Sequence, residues 1–118
     1  MAKEIKIIEY DSENDILFIS NGENTKASLD IGDFILDVTH ANLISGIEVM
    51  DASENLGISR DFLKSIKNIK MSVSYNTNHV YVLLVMAFKN QGKEVNMSIP
   101  LTLNLGHKTP RKEVLVFG

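Results

Sequence analysis

The stretch from Phe34 to Ser53, FILDVTHANLISGIEVMDAS, limits what this chain can fold into more than any other. Two β-branched and aliphatic runs, Phe34 to Thr39 and Ile44 to Met50, are separated by His40, Ala41, Asn42 and Leu43, the length and chemistry of a hairpin connection. Symmetric pairing makes the numbers of facing residues sum to about 83, and alternation then fixes the faces. Phe34, Leu36 and Val38 share one face with Ile47 and Val49, while Ile35, Asp37, Thr39, Ile44, Gly46, Glu48 and Met50 share the other. A sheet with one apolar face needs a cover. The cover comes at once: Asp51 or Ser53 is placed to cap a helical turn, Gly57 to end it, and Ser59 to cap a second helix running to about Ile66.

Upstream, Ile5 and Ile7 alternate with Glu4 and Lys6, which predicts a half-buried strand from Lys3 to Glu9. Tyr10 to Asp15 is a polar turn, Ile16 to Ile19 a second strand, Asn21 to Asn24 a turn, and Lys26 to Ile31 a third strand ending at Gly32-Asp33. Asp11, Glu13 and Asp15 alternate as calcium-loop ligands do. However, Ile16 stands where the sharp-turn glycine belongs and Gly22 where a bidentate glutamate is needed, so the pattern predicts a structural turn.

Taken together, Tyr10-Asp11-Ser12-Glu13-Asn14-Asp15-Ile16-Leu17-Phe18-Ile19, Leu29-Asp30-Ile31, Ile35-Leu36-Asp37, Gly46-Ile47-Glu48-Val49 and Ala52-Ser53 resemble the family catalogued as domain of unknown function 2283. The resemblance covers about residues 5 to 57. It implies a small β-meander closed by a helix and no assigned activity. Members of that family are usually stand-alone small domains, so the long second half departs from the pattern.

In that second half, Ser59 to Lys67 places Phe62, Leu63 and Ile66 opposite Arg60, Lys64 and Lys67, the pattern of a short amphipathic helix with a basic face. Ile69, Met71, Val73 and Tyr75 alternate with polar residues as a strand does. Asn76 to His79 is a turn, and Val80 to Phe88, apolar at both parities, predicts a central strand buried on both faces. After the Asn90-Gln91-Gly92 turn, Val95 to Leu105 alternates again, and Pro100, which has no N–H for a ladder, marks an edge strand or a bulge. Gly106 to Glu113 is a basic connector, and Val114 to Phe117 is suited to a last strand or to docking on a partner. The expected class is α+β: mostly antiparallel β-meander sheets with one or two short helices in the middle of the chain. The expected units are residues 1–58 and 59–118, packed as one compact body.

A chain of 118 residues is long enough to bury a core without staples, and the absence of cysteine removes disulfides, thiolate metal sites and cysteine nucleophiles. Neither the N-terminal Met1-Ala-Lys-Glu-Ile-Lys nor the longest apolar run, Val80 to Phe88, suits a signal peptide or a membrane span. The expectation is a soluble cytoplasmic protein. Charge is divided: residues 1–58 hold three lysines against twelve acids, a balance of −9, and residues 59–118 hold nine basic residues against three acids, a balance of +6. Such opposition favours docking within or between chains, or simply keeps both surfaces solvated.

Chemistry is sparse. His40, His79 and His107 lie apart without ligand spacing, no serine sits in a nucleophile elbow, and the glycines form no phosphate loop. No cofactor is expected. The one constellation is Asp37 with Glu48, diagonal neighbours beside Gly46, where two carboxylates held close could share a proton or a divalent cation. The plain alternative is that both face solvent or meet lysines of the basic half. Two function classes remain open. The first is a non-enzymatic interaction module, its partner a second copy in a dimer or higher even oligomer. The second is a small metal-assisted hydrolase using Asp37, Glu48 and Asp51. Nucleic-acid binding through Arg60, Lys64, Lys67 and Lys70 is a weaker third reading, because the acidic half would repel the same polyanion.

Overall fold

A computed structural model describes residues 3–104 of the chain. In order, the elements are β1 (Lys3–Glu4), β2 (Ile7–Asp11), β3 (Ile16–Ser20), β4 (Ala27–Ile31), β5 (Phe34–Val38), β6 (Ile44–Val49), α1 (Ala52–Leu56), α2 (Arg60–Lys64), β7 (Ile66–Tyr75), β8 (His79–Asn90) and β9 (Lys93–Asn104). They form two antiparallel sheets. The larger has the order β2-β3-β6-β5-β4, and the smaller the order β1-β7-β8-β9. The class is therefore α+β, as the alternation implied. No helix among the described residues is long and apolar enough to cross a membrane.

The central hairpin pairs Phe34 with Val49, Ile35 with Glu48, Leu36 with Ile47 and Asp37 with Gly46, in the expected register. Beyond Asp37 the register shifts, and Val38 pairs with Ile44. Ser45 is the additional residue of this bulge. One extra residue reverses the parity of the pairs beyond it, so Ile44, expected on the polar face, is buried in the core instead.

The expected first strand, Lys3 to Glu9, is divided. Lys3 and Glu4 pair with β7, and Ile7 to Asp11 pair with β3. At the crossing the Ile5 N–H donates to the Ile69 carbonyl at 2.9 Å and the Lys6 N–H to the Ser20 carbonyl at 3.0 Å. Each backbone donor keeps a partner as the chain changes sheets. Ile5 remains buried, but the inward residues of β2 become Ile8 and Tyr10, and Ile7 is left 40% exposed.

Inward side chains of both sheets and of the helical turns join in a single apolar cluster, from Leu17, Ile19, Leu36 and Ile47 to Ile69, Val82, Leu84, Met86 and Phe88, with Leu56 and Leu63. At about 25 cal/mol per Å² of apolar surface removed from water, such burial is the main stabilising term. The second helix is shorter than expected. Ser59 caps it by accepting from the Phe62 N–H, but Ser65 closes it, and Ile66 already pairs in β7.

The expectation for Val80 to Phe88 also needs correction. Val80, Val82, Leu84 and Met86 are buried, whereas Tyr81 and Leu83 point to the opposite face and are 43% and 39% exposed. The strand is central, but among the described residues nothing covers its outer side at Tyr81 and Leu83. β9 is an edge strand, and Pro100 sits in it without a register shift. Leu105, the connector from Gly106 to Glu113 and the run from Val114 to Phe117 lie outside the described residues.

Candidate functional site

The most strongly organised polar group is Asp15, at the end of the turn between β2 and β3 in a left-handed conformation with φ of 57°. Its residue is only 4% exposed. The Tyr10 hydroxyl donates to Oδ1 at 2.6 Å, the Ser53 hydroxyl donates to Oδ2 at 2.6 Å, and the Ser53 backbone N–H donates to the two oxygens at 3.0 and 3.2 Å. The Asp15 carbonyl accepts from the Ala52 N–H at 2.8 Å. Asp15 thus caps α1 from a distance in sequence. Asp51, expected as a cap, occupies the N-cap position but makes no side-chain cap bond, and Ser53 lies inside the helix as a donor. Gly57 ends the helix with φ of 68°, as expected of a glycine C-cap.

Burial works against ionisation of Asp15, but the bonds from Ser53 and Tyr10 and the charge of Arg60 outweigh it and hold its carboxyl below the usual range. Arg60, on α2, has Nε 3.9 Å from Asp15 and donates through Nη1 to the Ser12 carbonyl at 3.1 Å. The second half of the chain is therefore fastened to the same turn. Around the turn, Asp11 accepts from the Glu13 and Asn14 N–H groups and the Asn14 amide, which lowers its own pKa, so two of the three alternating acids serve the turn itself. A carboxylate with a depressed pKa and its acceptor sites occupied is a poor general base. The Asp15 group acts as a clamp.

Burial, and then the bond to Asp15, push the Tyr10 phenol up to about 12. A raised folded pKa contributes stability that is complete below the unfolded value of about 10 and lost as pH rises through the folded one. Phenolate absorbance should show one tyrosine ionising near pH 12, and the Tyr10→Phe variant should lack that step.

The pair Asp37 and Glu48 lies on the outer face of the larger sheet, Asp37 opposite Gly46 and Glu48 opposite Ile35. They are diagonal neighbours, a geometry with Cα atoms about 7–8 Å apart. Asp37 accepts from the Ser28 hydroxyl at 2.9 Å. Asp51 stands in the turn after the sheet and does not join them. Among the described residues no group of three or more His, Cys, Asp or Glu side chains is arranged around a common point. His40 is exposed in its turn, His79 stacks on Tyr81 with ring centroids 6.0 Å apart, and His107 is outside the described residues.

The four basic residues lie on two elements. Arg60 and Lys64 are on α2, with Lys64 3.9 Å from Asp61, whereas Lys67 sits at the bulge of β7 and Lys70 further along that strand, across from Glu4. Ser65 ends the helix before Lys67, so the continuous basic helix face is absent.

Four surface features remain, one of them a cleft of about 580 Å³ on the smaller sheet lined by Glu4, Asn68, Lys70, Val85, Ala87, Glu94 and Asn96. A second cleft, of about 200 Å³, lies between the sheets and is lined by Asn21, Glu23, Leu43, Ile44, Met71, Val73 and Tyr75. The Tyr75 hydroxyl accepts from the Ile44 N–H there at 2.8 Å. A third cleft, of about 320 Å³, is lined by Glu9, Asp11, Ile16, Phe18 and Glu48. The fourth feature is the outer face of the smaller sheet, where the open side of β8 presents Tyr81, Leu83 and Val85.

Over 92 residues the chain is 26% identical to a Methanosarcina mazei protein named "Putative hypoxanthine phosphoribosyltransferase", covering 77% of this chain and 75% of that one. Over 61 residues it is 34% identical to the uncharacterized protein MJ0789 of Methanocaldococcus jannaschii. That match covers 50% of this chain and 53% of the relative, so it spans about half the length of each. No solved structure matches. The five-stranded sheet, the Asp15 turn and Ser53 all fall within residues 7–53, which match the model of the family described as Protein of unknown function (DUF2283).

Proposed function

We propose that this chain is a non-enzymatic interaction module whose partner is a second copy, joined through the outer face of the smaller sheet. The observation that carries this reading is the stripe of Tyr81 and Leu83, 43% and 39% exposed on a central strand. Its cross-strand neighbours are Ser72, Ser74, Pro100 and Thr102, none of them charged. Charge appears towards one end, where Lys70 pairs across from Glu4, Lys89 from Glu94, and Lys67 is exposed at the bulge of β7. Aromatic and aliphatic residues in a charge-depleted centre are the composition of an interface core. A two-fold contact brings a patch against itself, which the uncharged centre around Tyr81 and Leu83 allows and a charged one would resist.

Three strands by about nine residues make a face of roughly 400 Å², below the ~800 Å² per partner of a standard stable interface. The expected association is therefore reversible, with a dissociation constant in the micromolar range. Sedimentation velocity should show a dimer forming at tens of micromolar, and Leu83→Asp should abolish it while leaving the melting temperature nearly unchanged, since Leu83 lies outside the core cluster. A native chain that stays monomeric at that concentration would end this reading.

The activity named for the Methanosarcina mazei relative is not carried over, since that match is 26% identical.

A further inference from the structure

The turn that leaves β3 contains Asn21-Gly22, and no other asparagine of the chain is followed by glycine. That order has a chemical consequence. Once the main-chain nitrogen after an asparagine loses its proton, it is a nucleophile one bond rotation away from the side-chain amide carbon. A glycine there leaves the nitrogen unshielded by a side chain and lets the backbone bend to bring the two atoms together.

The fold supports this reaction in three ways. Gly22 has φ of 89°, so the turn already uses the freedom that only glycine offers cheaply. Asn21 is half-buried while Gly22 and Glu23 are exposed, so hydroxide and water reach the turn. Asn21 Oδ1 accepts from the Glu23 N–H at 2.9 Å, the bond of an Asx turn. This donor draws electron density from the amide carbon and stands where negative charge develops when the nitrogen adds. The Asn21 N–H donates to the Ser45 carbonyl at 2.8 Å and the Gly22 N–H to Ser20 Oγ at 3.0 Å, which anchors the dipeptide on the sheet. The second bond does not block attack, because an amide nitrogen adds through its π face and not along its N–H.

We infer that Asn21 is a site of spontaneous modification, at which the Gly22 nitrogen displaces the side-chain amide of Asn21. Hydroxide takes the Gly22 N–H proton, the bond from that nitrogen to Asn21 Cγ forms, the Cγ–Nδ2 bond breaks, and Nδ2 leaves as ammonia with a proton from water. Water then opens the resulting succinimide at either carbonyl, giving aspartate or isoaspartate. Either product puts a new carboxylate into the cleft between the sheets that Asn21 lines with Glu23 and Tyr75. Isoaspartate also adds one carbon to the main chain between β3 and β4. The reaction does not depend on self-association, because the turn lies apart from the outer face of the smaller sheet.

The full-length folded chain incubated in mildly alkaline water enriched in oxygen-18 tests this. The tryptic peptide from Ile7 to Lys26 should gain three mass units, one for amide to acid and two for the heavy oxygen, and fragmentation should locate the gain at Asn21 and not at Asn14 or Asn24. A methyltransferase specific for isoaspartate should then methylate that peptide, and the rate should rise in proportion to hydroxide. The same incubation in guanidinium chloride separates the turn from the bare dipeptide: the folded chain should react at least as fast as the unfolded one. A folded chain that reacts more slowly would show that the turn protects Asn21, and the inference is overturned. Gain at Asn14 or Asn24 as fast as at Asn21, or a product without isoaspartate, would also overturn it.

Discussion

Asp15→Ala is expected to destabilise the fold by about 3–5 kcal/mol, the range for removing one partner from a buried, hydrogen-bonded charge. The loss is not one bond. Without the carboxylate, the Tyr10 hydroxyl, the Ser53 hydroxyl and the Ser53 N–H lose their acceptor together, and a buried donor without an acceptor costs about 1–3 kcal/mol. The Arg60 contact adds little, because its side chain is 54% exposed and the separation is 3.9 Å. Asp15→Asn keeps the shape but turns an amide N–H toward donors, and its cost should fall between those of native and alanine. Urea unfolding measures both. A loss under about 1 kcal/mol for the alanine variant would mean that the clamp is not a stabilising feature.

The same carboxylate gives the fold an acid limit. Its folded pKa is depressed, so its contribution is complete above the unfolded value of about 3.9 and lost as pH falls through the folded one. The stability gap between native and Asp15→Asn should narrow below about pH 4, and a constant gap there would contradict the depressed pKa.

How much of this was legible in the sequence depended on whether a local rule decided it. The hairpin register from Phe34 to Gly46 came from alternation and loop length, and the edge strand, one of two readings Pro100 allowed, came from its missing N–H. The bulge at Ser45 did not, because nothing in Ile44-Ser45-Gly46 distinguishes an extra residue from a paired one before the sheet is assembled. The open face of β8 was missed for a different reason. Apolar residues at both parities suit burial on both sides, yet a great deal of apolar surface stays exposed in folded proteins, and only whether a further layer packs there decides between them. The candidate site shows the same division. Asp11, Glu13 and Asp15 look alike in one polar turn, and the inward one is identified only by its partner Ser53, thirty-eight positions away. Both ends of that bond lie in the stretches that carry the family resemblance, so the signal was present while its physical meaning was not. The Asp37 and Glu48 pair was placed correctly as neighbours, but spacing alone could not show that the Ser28 hydroxyl already serves Asp37.

The second large effect concerns Phe88, because it tests whether the halves divided at residue 58 fold as one. Phe88 is fully buried in β8, and its ring meets Phe62 of α2 edge-on, with centroids 5.6 Å apart and planes at 61°. Phe88→Ala removes that contact and leaves a cavity that neighbouring strands can only partly close, a cost of about 3–5 kcal/mol. For a domain of this size that lowers the melting temperature by about 10–20 °C. The apolar cluster runs without a break from Phe88 to Ile19 and Ile47 of the other sheet, and the chain itself crosses between sheets at Ile5 and Lys6. If these links make one cooperative unit, native-state hydrogen exchange of the slowest amides in β3 and β6 should accelerate by the same free-energy increment as that of the slowest amides in β8. If β3 and β6 keep their native protection while β7 to β9 lose theirs, the five-stranded half stands alone and the second half is an appended layer. The shared cluster favours the first outcome, since cutting it at residue 58 would expose the inner faces of both sheets to water at once.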